Sequence, residues 1–94
     1  DNHLSTIDSN IFKNLVYLKT LDLSRNLIKK INYFYFNNLT SLNLANNCLN
    51  DFSVENQKFQ NLLELDLSNN IFMHEFKVES NSKIKILNLN NNFN

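Results

Sequence analysis

Side chains able to do covalent or metal chemistry are few in this 94-residue chain and do not cluster. His3 and His74 are too isolated to share a metal ion, and His74-Glu75 lacks the second histidine that a zinc-protease helix requires. Cys48 is the sole cysteine, so no internal disulfide can form. No neighbouring motif marks it as a reactive thiol, and it reads as a half-buried filler beside Leu49. Serine and aspartate form no nucleophile motif, and a chain without glycine cannot build a phosphate-cradling loop. Catalysis, metals and cofactors are therefore not expected. What remains is hydrogen bonding, from the carboxylates of Asp22, Glu64 and Asp66 and from 21 asparagines, in a chain that also lacks proline. Asparagine tolerates the left-handed backbone and bonds to nearby main chain, so it can do in tight turns what glycine normally does. Asn38-Leu39-Thr40 is the one standard N-glycosylation sequon.

These polar groups sit in a recurring frame, L-x-x-L-x-L-x-x-N-x-Φ, where Φ is apolar. Full copies run Leu18, Leu21, Leu23, Asn26, Ile28; then Leu39, Leu42, Leu44, Asn47, Leu49; then Leu62, Leu65, Leu67, Asn70, Phe72. A fourth reads Ile84, Leu87, Leu89, Asn92 and breaks at Asn94, where Φ is due; Asn2-x-Leu4 is a remnant of an earlier copy. The frame asparagines at positions 2, 26, 47, 70 and 92 are spaced by 24, 21, 23 and 22 residues. Such a period marks stacked coils, each burying its apolar side only against its neighbours. Residues 1–94 thus form one segment of about four coils.

The L-x-L alternation predicts a short strand in each copy: Thr20 to Ser24, Ser41 to Ala45, Glu64 to Ser68, and Ile86 to Asn90. Leu21 and Leu23, Leu42 and Leu44, Leu65 and Leu67, and Leu87 and Leu89 then turn inward. A return crossover separates successive copies, so the strands must be parallel. Outward positions fall into four columns. The first is Thr20, Ser41, Glu64, Ile86; the second Asp22, Asn43, Asp66, Asn88; the third Ser24, Ala45, Ser68, Asn90; the fourth Arg25, Asn46, Asn69, Asn91. This face is polar and mildly acidic, and it suits hydrogen bonding to a protein or a glycan. Thr20, Asp22, Ser24, Arg25, Asn43, Glu64, Asp66 and Asn88 are its candidate contacts, with Asp22, Glu64 and Asp66 the leading set. The plain alternative for any single one is a solvated strand position.

Where the chain leaves each strand, Asn26, Asn47, Asn70 and Asn92 are expected to turn inward. A buried amide there satisfies backbone groups that the sheet no longer pairs, and stacked copies would make a ladder. The return segments repeat as well: Ile7, Phe12, Leu15 and Leu18 are matched by Ile31, Phe36, Leu39 and Leu42, then by Phe52, Phe59, Leu62 and Leu65. Phe12, Phe36 and Phe59 are predicted to stack as an aromatic spine, with at most a turn or two of helix, as around Lys13 to Tyr17.

Lys plus Arg and Asp plus Glu number 9 each, so no net field draws in nucleic acid or an anionic membrane. No run of 18 apolar residues occurs, and Asp1-Asn2-His3 opens nothing like a signal peptide. Neither end carries a cysteine-rich cap, and a bare end would expose the apolar interior. Further repeats or caps are therefore expected to flank an uncapped segment.

On these motifs the chain resembles a leucine-rich repeat domain over essentially its whole length. The pattern I-x-x-x-x-F-x-x-L-x-x-L, here Ile7, Phe12, Leu15 and Leu18, is similar to the typical class common in animal extracellular proteins such as Toll-like receptors and insect leucine-rich immune proteins. The resemblance implies an α/β solenoid, a right-handed horseshoe segment with a concave parallel sheet and a mostly irregular convex side. It further implies a non-catalytic recognition module of a secreted or receptor-type protein in innate immunity. Such a module would be extracellular and bind a protein ligand or co-receptor, or a glycan. The 21- and 22-residue spacings are similar to the shorter class of cytosolic regulators, which implies the alternative of a cytoplasmic scaffold or regulatory subunit holding an enzyme partner. A structural spacer is a third reading.

Overall fold

The computed structural model describes residues 6–8, 17–32, 38–50, 61–71 and 83–92. Every regular element among them is a strand of three residues: β1 (Thr6–Asp8), β2 (Thr20–Asp22), β3 (Lys30–Asn32), β4 (Ser41–Asn43), β5 (Glu64–Asp66) and β6 (Ile86–Asn88). The described residues contain no helix, so the α component of the expected α/β solenoid is not found among them. Of the expected helical stretch only Tyr17 is described, in a turn. The proposed aromatic spine of Phe12, Phe36 and Phe59 lies outside the described residues.

β2, β4, β5 and β6 form one parallel sheet in that order. Its register sets Thr20 beside Ser41, Glu64 and Ile86; Leu21 beside Leu42, Leu65 and Leu87; and Asp22 beside Asn43, Asp66 and Asn88. Like positions of the frame therefore pair with like, as a strict repeat demands when each coil stacks on the last. A one-residue slip would turn every leucine to the solvent side, so the L-x-L pattern enforces this register.

The core follows directly. Leu23, Leu42, Leu44, Leu65 and Leu67 are buried with Ile28, Ile31, Leu39, Leu49 and Leu62, and Leu18, Leu21, Ile84 and Leu89 pack against them partly covered. Each fully buried leucine contributes about 1.5 to 3 kcal/mol relative to an exposed one. Leu87 departs from the expected inward burial, being 36% exposed. It lies on β6, the last strand of the sheet among the described residues, where a described coil packs on one side only.

Two features of the backbone differ from the sequence expectation. The strands of the sheet stop after three residues rather than five, for a reason given below. The return path is also more regular than expected, since β1 and β3 form a second parallel sheet in which Ile7 pairs with Ile31. Coils that stack at the strand spacing of about 4.8 Å bring any extended return segment within ladder distance, and Thr6, Ile7 and Ile31 are good strand formers.

Candidate functional site

The outward face of the four-stranded sheet is built from two columns with different duties. The first presents exposed Thr20 and Glu64, half-buried Ser41, and Ile86 at 58% exposure. The Ser41 hydroxyl reaches Glu64 Oε2 only loosely, at 3.5 Å. The second column does structural work. Oδ1 of Asp22 accepts the Ser24 amide at 2.9 Å, Asn43 that of Ala45 at 2.9 Å, Asp66 that of Ser68 at 3.0 Å and Asn88 that of Asn90 at 3.0 Å. Asp22 and Asp66 also accept the Ser24 and Ser68 hydroxyls, at 2.6 and 2.7 Å. Each is a side chain bonding main chain two residues on, which takes that amide out of the ladder and bends the chain, although the next amide still bonds the neighbouring coil, as Arg25 N does Ala45 O at 3.0 Å. The strands end here because this column ends them.

This bend relocates the other two columns. Ala45 and Ser68 are buried and Ser24 is half-buried, so the third column does not present side chains outward along the sheet as expected; only Asn90 is exposed. Arg25, Asn46, Asn69 and Asn91 take φ of 57°, 58°, 55° and 60°. They are turn residues in the left-handed region, exposed past the strand ends, so Arg25 stands in a turn and not on a strand. Three of the four are asparagine, the residue that accepts this conformation most readily after glycine.

Behind the turns, the frame asparagines bridge coils. Asn47 Nδ2 donates to Leu23 O and Leu44 O, both at 3.0 Å, and to Ala45 O at 3.2 Å, while its Oδ1 accepts the Ile28 amide at 3.1 Å. Asn70 repeats the pattern one coil on, from Leu44 O, Leu67 O and Ser68 O to the Leu49 amide at 2.9 Å. Asn26 donates to Leu23 O and Ser24 O, and Asn92 to Leu67 O and Leu89 O. No buried side-chain nitrogen or oxygen among the described residues lacks a partner.

On the front, Ser41, Asn43, Glu64, Asp66, Ile86 and Asn88 line an open depression of about 250 Å³. Its lining mixes hydroxyl, amide, carboxylate and one apolar side chain. Asp22 lies on the neighbouring strand, and its carboxyl is held below the ordinary value of 3.8 by the Ser24 hydroxyl and amide, assisted by the charge of Arg25. Asn38 is exposed in the turn before β4, away from this depression, and the Thr40 hydroxyl donates to Lys19 O at 3.2 Å. Half-buried Cys48 lies past the ladder.

The family model described as leucine rich repeat matches residues 1–47, half of the chain. The chain belongs to the leucine-rich repeat family. No match was found among curated proteins, and none among solved structures. The leucine-rich repeat frame accounts for the parallel sheet, and leucine-rich repeats generally serve protein recognition. No helix among the described residues is long and apolar enough to cross a membrane.

Of the candidate contacts, the leucine-rich repeat sheet brings Thr20, Asp22, Asn43, Glu64, Asp66 and Asn88 together on one face, while Ser24 and Arg25 follow the strand end, Ser24 with its hydroxyl on Asp22 Oδ1 and Arg25 in a left-handed turn. Ser41 and Ile86 line the depression yet were not among the candidates. Their signal was present in the first outward column, where a small hydroxyl and an apolar residue flank Glu64. The variable position between the frame asparagine and Φ forms a further column, Leu27, Cys48, Ile71 and Phe93 in the four main copies and His3 in the remnant.

Proposed function

We propose that this chain is a non-catalytic recognition segment that holds a protein partner against the outward face of its four-stranded sheet. The observation carrying this reading is the register that gathers Thr20, Ser41, Glu64 and Ile86 into one accessible row beside a depression of about 250 Å³. A carboxylate next to an exposed apolar side chain offers a partner both a charged and a dry contact. The carboxylates of Asp22 and Asp66 are committed to capping turns, which supports binding over catalysis.

The cleanest test avoids the capping column. Glu64→Lys combined with Ile86→Glu should weaken affinity for a purified partner at least tenfold, while Tyr17→Ser, at an exposed turn off this face, should leave it unchanged. Equal affinity in both variants would move the site elsewhere on the molecule.

The wider setting is a secreted or receptor-type protein of innate immunity with a protein ligand or co-receptor, or a glycan, as its target; its support is the family resemblance and the exposed sequon at Asn38. Expressed through a secretory pathway, the chain should gain the mass of one N-glycan that Asn38→Gln removes. A chain that emerges unmodified would favour the cytoplasmic scaffold, which the 21- and 22-residue spacings also suit.

A further inference from the structure

The two flanks of the sheet are chemically unlike. Where the chain enters its strands, the column before the first frame leucine is Tyr17, Asn38, Asn61 and Lys83, and the Lys83 ammonium donates to Asn61 Oδ1 at 3.4 Å. That flank sets amides and an ammonium beside the exposed Tyr17 ring and Leu63, and it carries the sequon. Where the chain leaves its strands, the column is apolar: Leu27 is 50% exposed, Cys48 half-buried and Ile71 37% exposed.

Backbone hydrogen bonds stack these three residues in register. The Ile28 amide bonds Asn47 Oδ1 and the Cys48 amide bonds Ile28 O at 2.8 Å; the Leu49 amide bonds Asn70 Oδ1 and the Ile71 amide bonds Leu49 O at 2.9 Å. Residues 26–28, 47–49 and 70–71 therefore run side by side, with Asn26, Ile28, Asn47, Leu49 and Asn70 buried and the intervening residue turned out. The result is a stripe crossing three coils, at about 4.8 Å per step. It is not an incidental exposed leucine, because the same frame position is apolar in all four main copies, with His3 in the remnant.

The alternation continues along the first coil through Lys29, where Arg25, Leu27 and Lys29 are exposed while Asn26 and Ile28 are buried; Lys30, the next residue, is exposed as well. Cations thus border one end of the stripe and no carboxylate occurs among residues 25–32, while the frame-matched stretch 46–53 of the next coil carries one, Asp51. The charge here is opposite to that of the sheet face, where Asp22, Glu64 and Asp66 are the only charged residues of the two outward columns.

We propose that the strand-exit flank is a second docking surface, separate from the sheet face, for an acidic protein segment. That segment would lay apolar side chains along Leu27, Cys48 and Ile71 and set carboxylates against Lys29 and Lys30. Charge complementarity selects this occupant. A basic partner would be repelled by Lys29 and Lys30, and an uncharged one would offer those two lysines no carboxylate. The apolar row supplies the anchor and the lysines supply orientation and on-rate, so binding weakens with salt without vanishing.

The probe is a fluorescein-labelled synthetic peptide alternating leucine and glutamate, titrated against the full chain by anisotropy, with a lysine-for-glutamate peptide as control. Leu27→Ser with Ile71→Ser, and separately Lys29→Glu with Lys30→Glu, should each weaken the glutamate peptide at least tenfold, and the lysine peptide should bind far more weakly than the glutamate peptide. All four positions are exposed, so folding should persist and the far-ultraviolet circular dichroism spectrum should be unchanged. Glu64→Lys with Ile86→Glu should leave this binding intact, which separates it from the sheet-face reading. Loss of binding only in the sheet-face variant would overturn the proposal. So would equal binding of both peptides, a concentration-dependent dimer abolished by Ile71→Ser, or a preference for anionic phospholipid vesicles over the glutamate peptide.

Discussion

Asn47 ties two coils together through one amide, and its partners show what losing it would do. Leu23 O and Leu44 O are shared with Asn26 and Asn70, and Ala45 O also accepts the Arg25 amide. The Ile28 amide, bonded to Asn47 Oδ1, has no such second partner in the ladder. Asn47→Leu should therefore cost mainly that one buried group, roughly 1 to 3 kcal/mol in urea unfolding. Asn47→Asp keeps the acceptor but turns a carboxylate toward carbonyl oxygens. Its deficit should be larger at neutral pH and shrink under mild acid, when the carboxyl can donate. Asp22 behaves in the opposite sense. Its native pKa lies below 3.8 through the Ser24 bonds, so its stabilisation is complete above that value and is lost as the pH falls through the lowered one. Asp22→Asn should retain the cap, as Asn43 and Asn88 do uncharged, and remove that component of the acid limb. A carboxyl titration by NMR that found Asp22 at or above its ordinary value would contradict this account.

A strand here is only three residues long, too short to persist by itself, and each depends on the leucine that its centre sends inward. Leu65, at the centre of β5, is buried between β4 and β6, whereas Leu87, at the centre of β6, is 36% exposed. Leu65→Ala should cost about 2 to 5 kcal/mol and Leu87→Ala under about 1 kcal/mol, measured by thermal or denaturant unfolding. Comparable losses at the two sites would mean that stacking does not control burial. The strand limits were only half legible beforehand. Alternation of leucines located each strand centre, but the identity of Asp22, Asn43, Asp66 and Asn88 as terminators depended on which way an Asx side chain turns. Sequence permits either rotation: outward to a partner or back to the amide two residues on. Packing of the following residue, buried at Ala45 and Ser68, selects the second.

Across the molecule, the amide just past each strand bonds the following coil: the Leu23 amide bonds Asn43 O, Leu44 bonds Asp66 O and Leu67 bonds Asn88 O, each at 2.8 Å. The equivalent Leu89 amide follows β6, which ends the sheet. Hydrogen exchange should therefore be slow at Leu23, Leu44 and Leu67 and fast at Leu89, a gradient that a nearest-neighbour array requires and a single globular core does not. Uniform protection from Leu23 to Leu89 would show that the chain opens as one unit.

The repeated leucines and asparagines were enough, before any coordinates, to place the parallel strands, to predict which residues share a column and to mark a ladder of amides, because a frame fixed at L-x-L and N has one way to bury itself. Side-chain duty was another matter. That Asp22 and Asp66 bend the chain, that Arg25 stands in a left-handed turn and that Leu27 and Ile71 stay exposed depend on distances between coils. Such distances arise only when neighbouring turns of the chain are laid against one another.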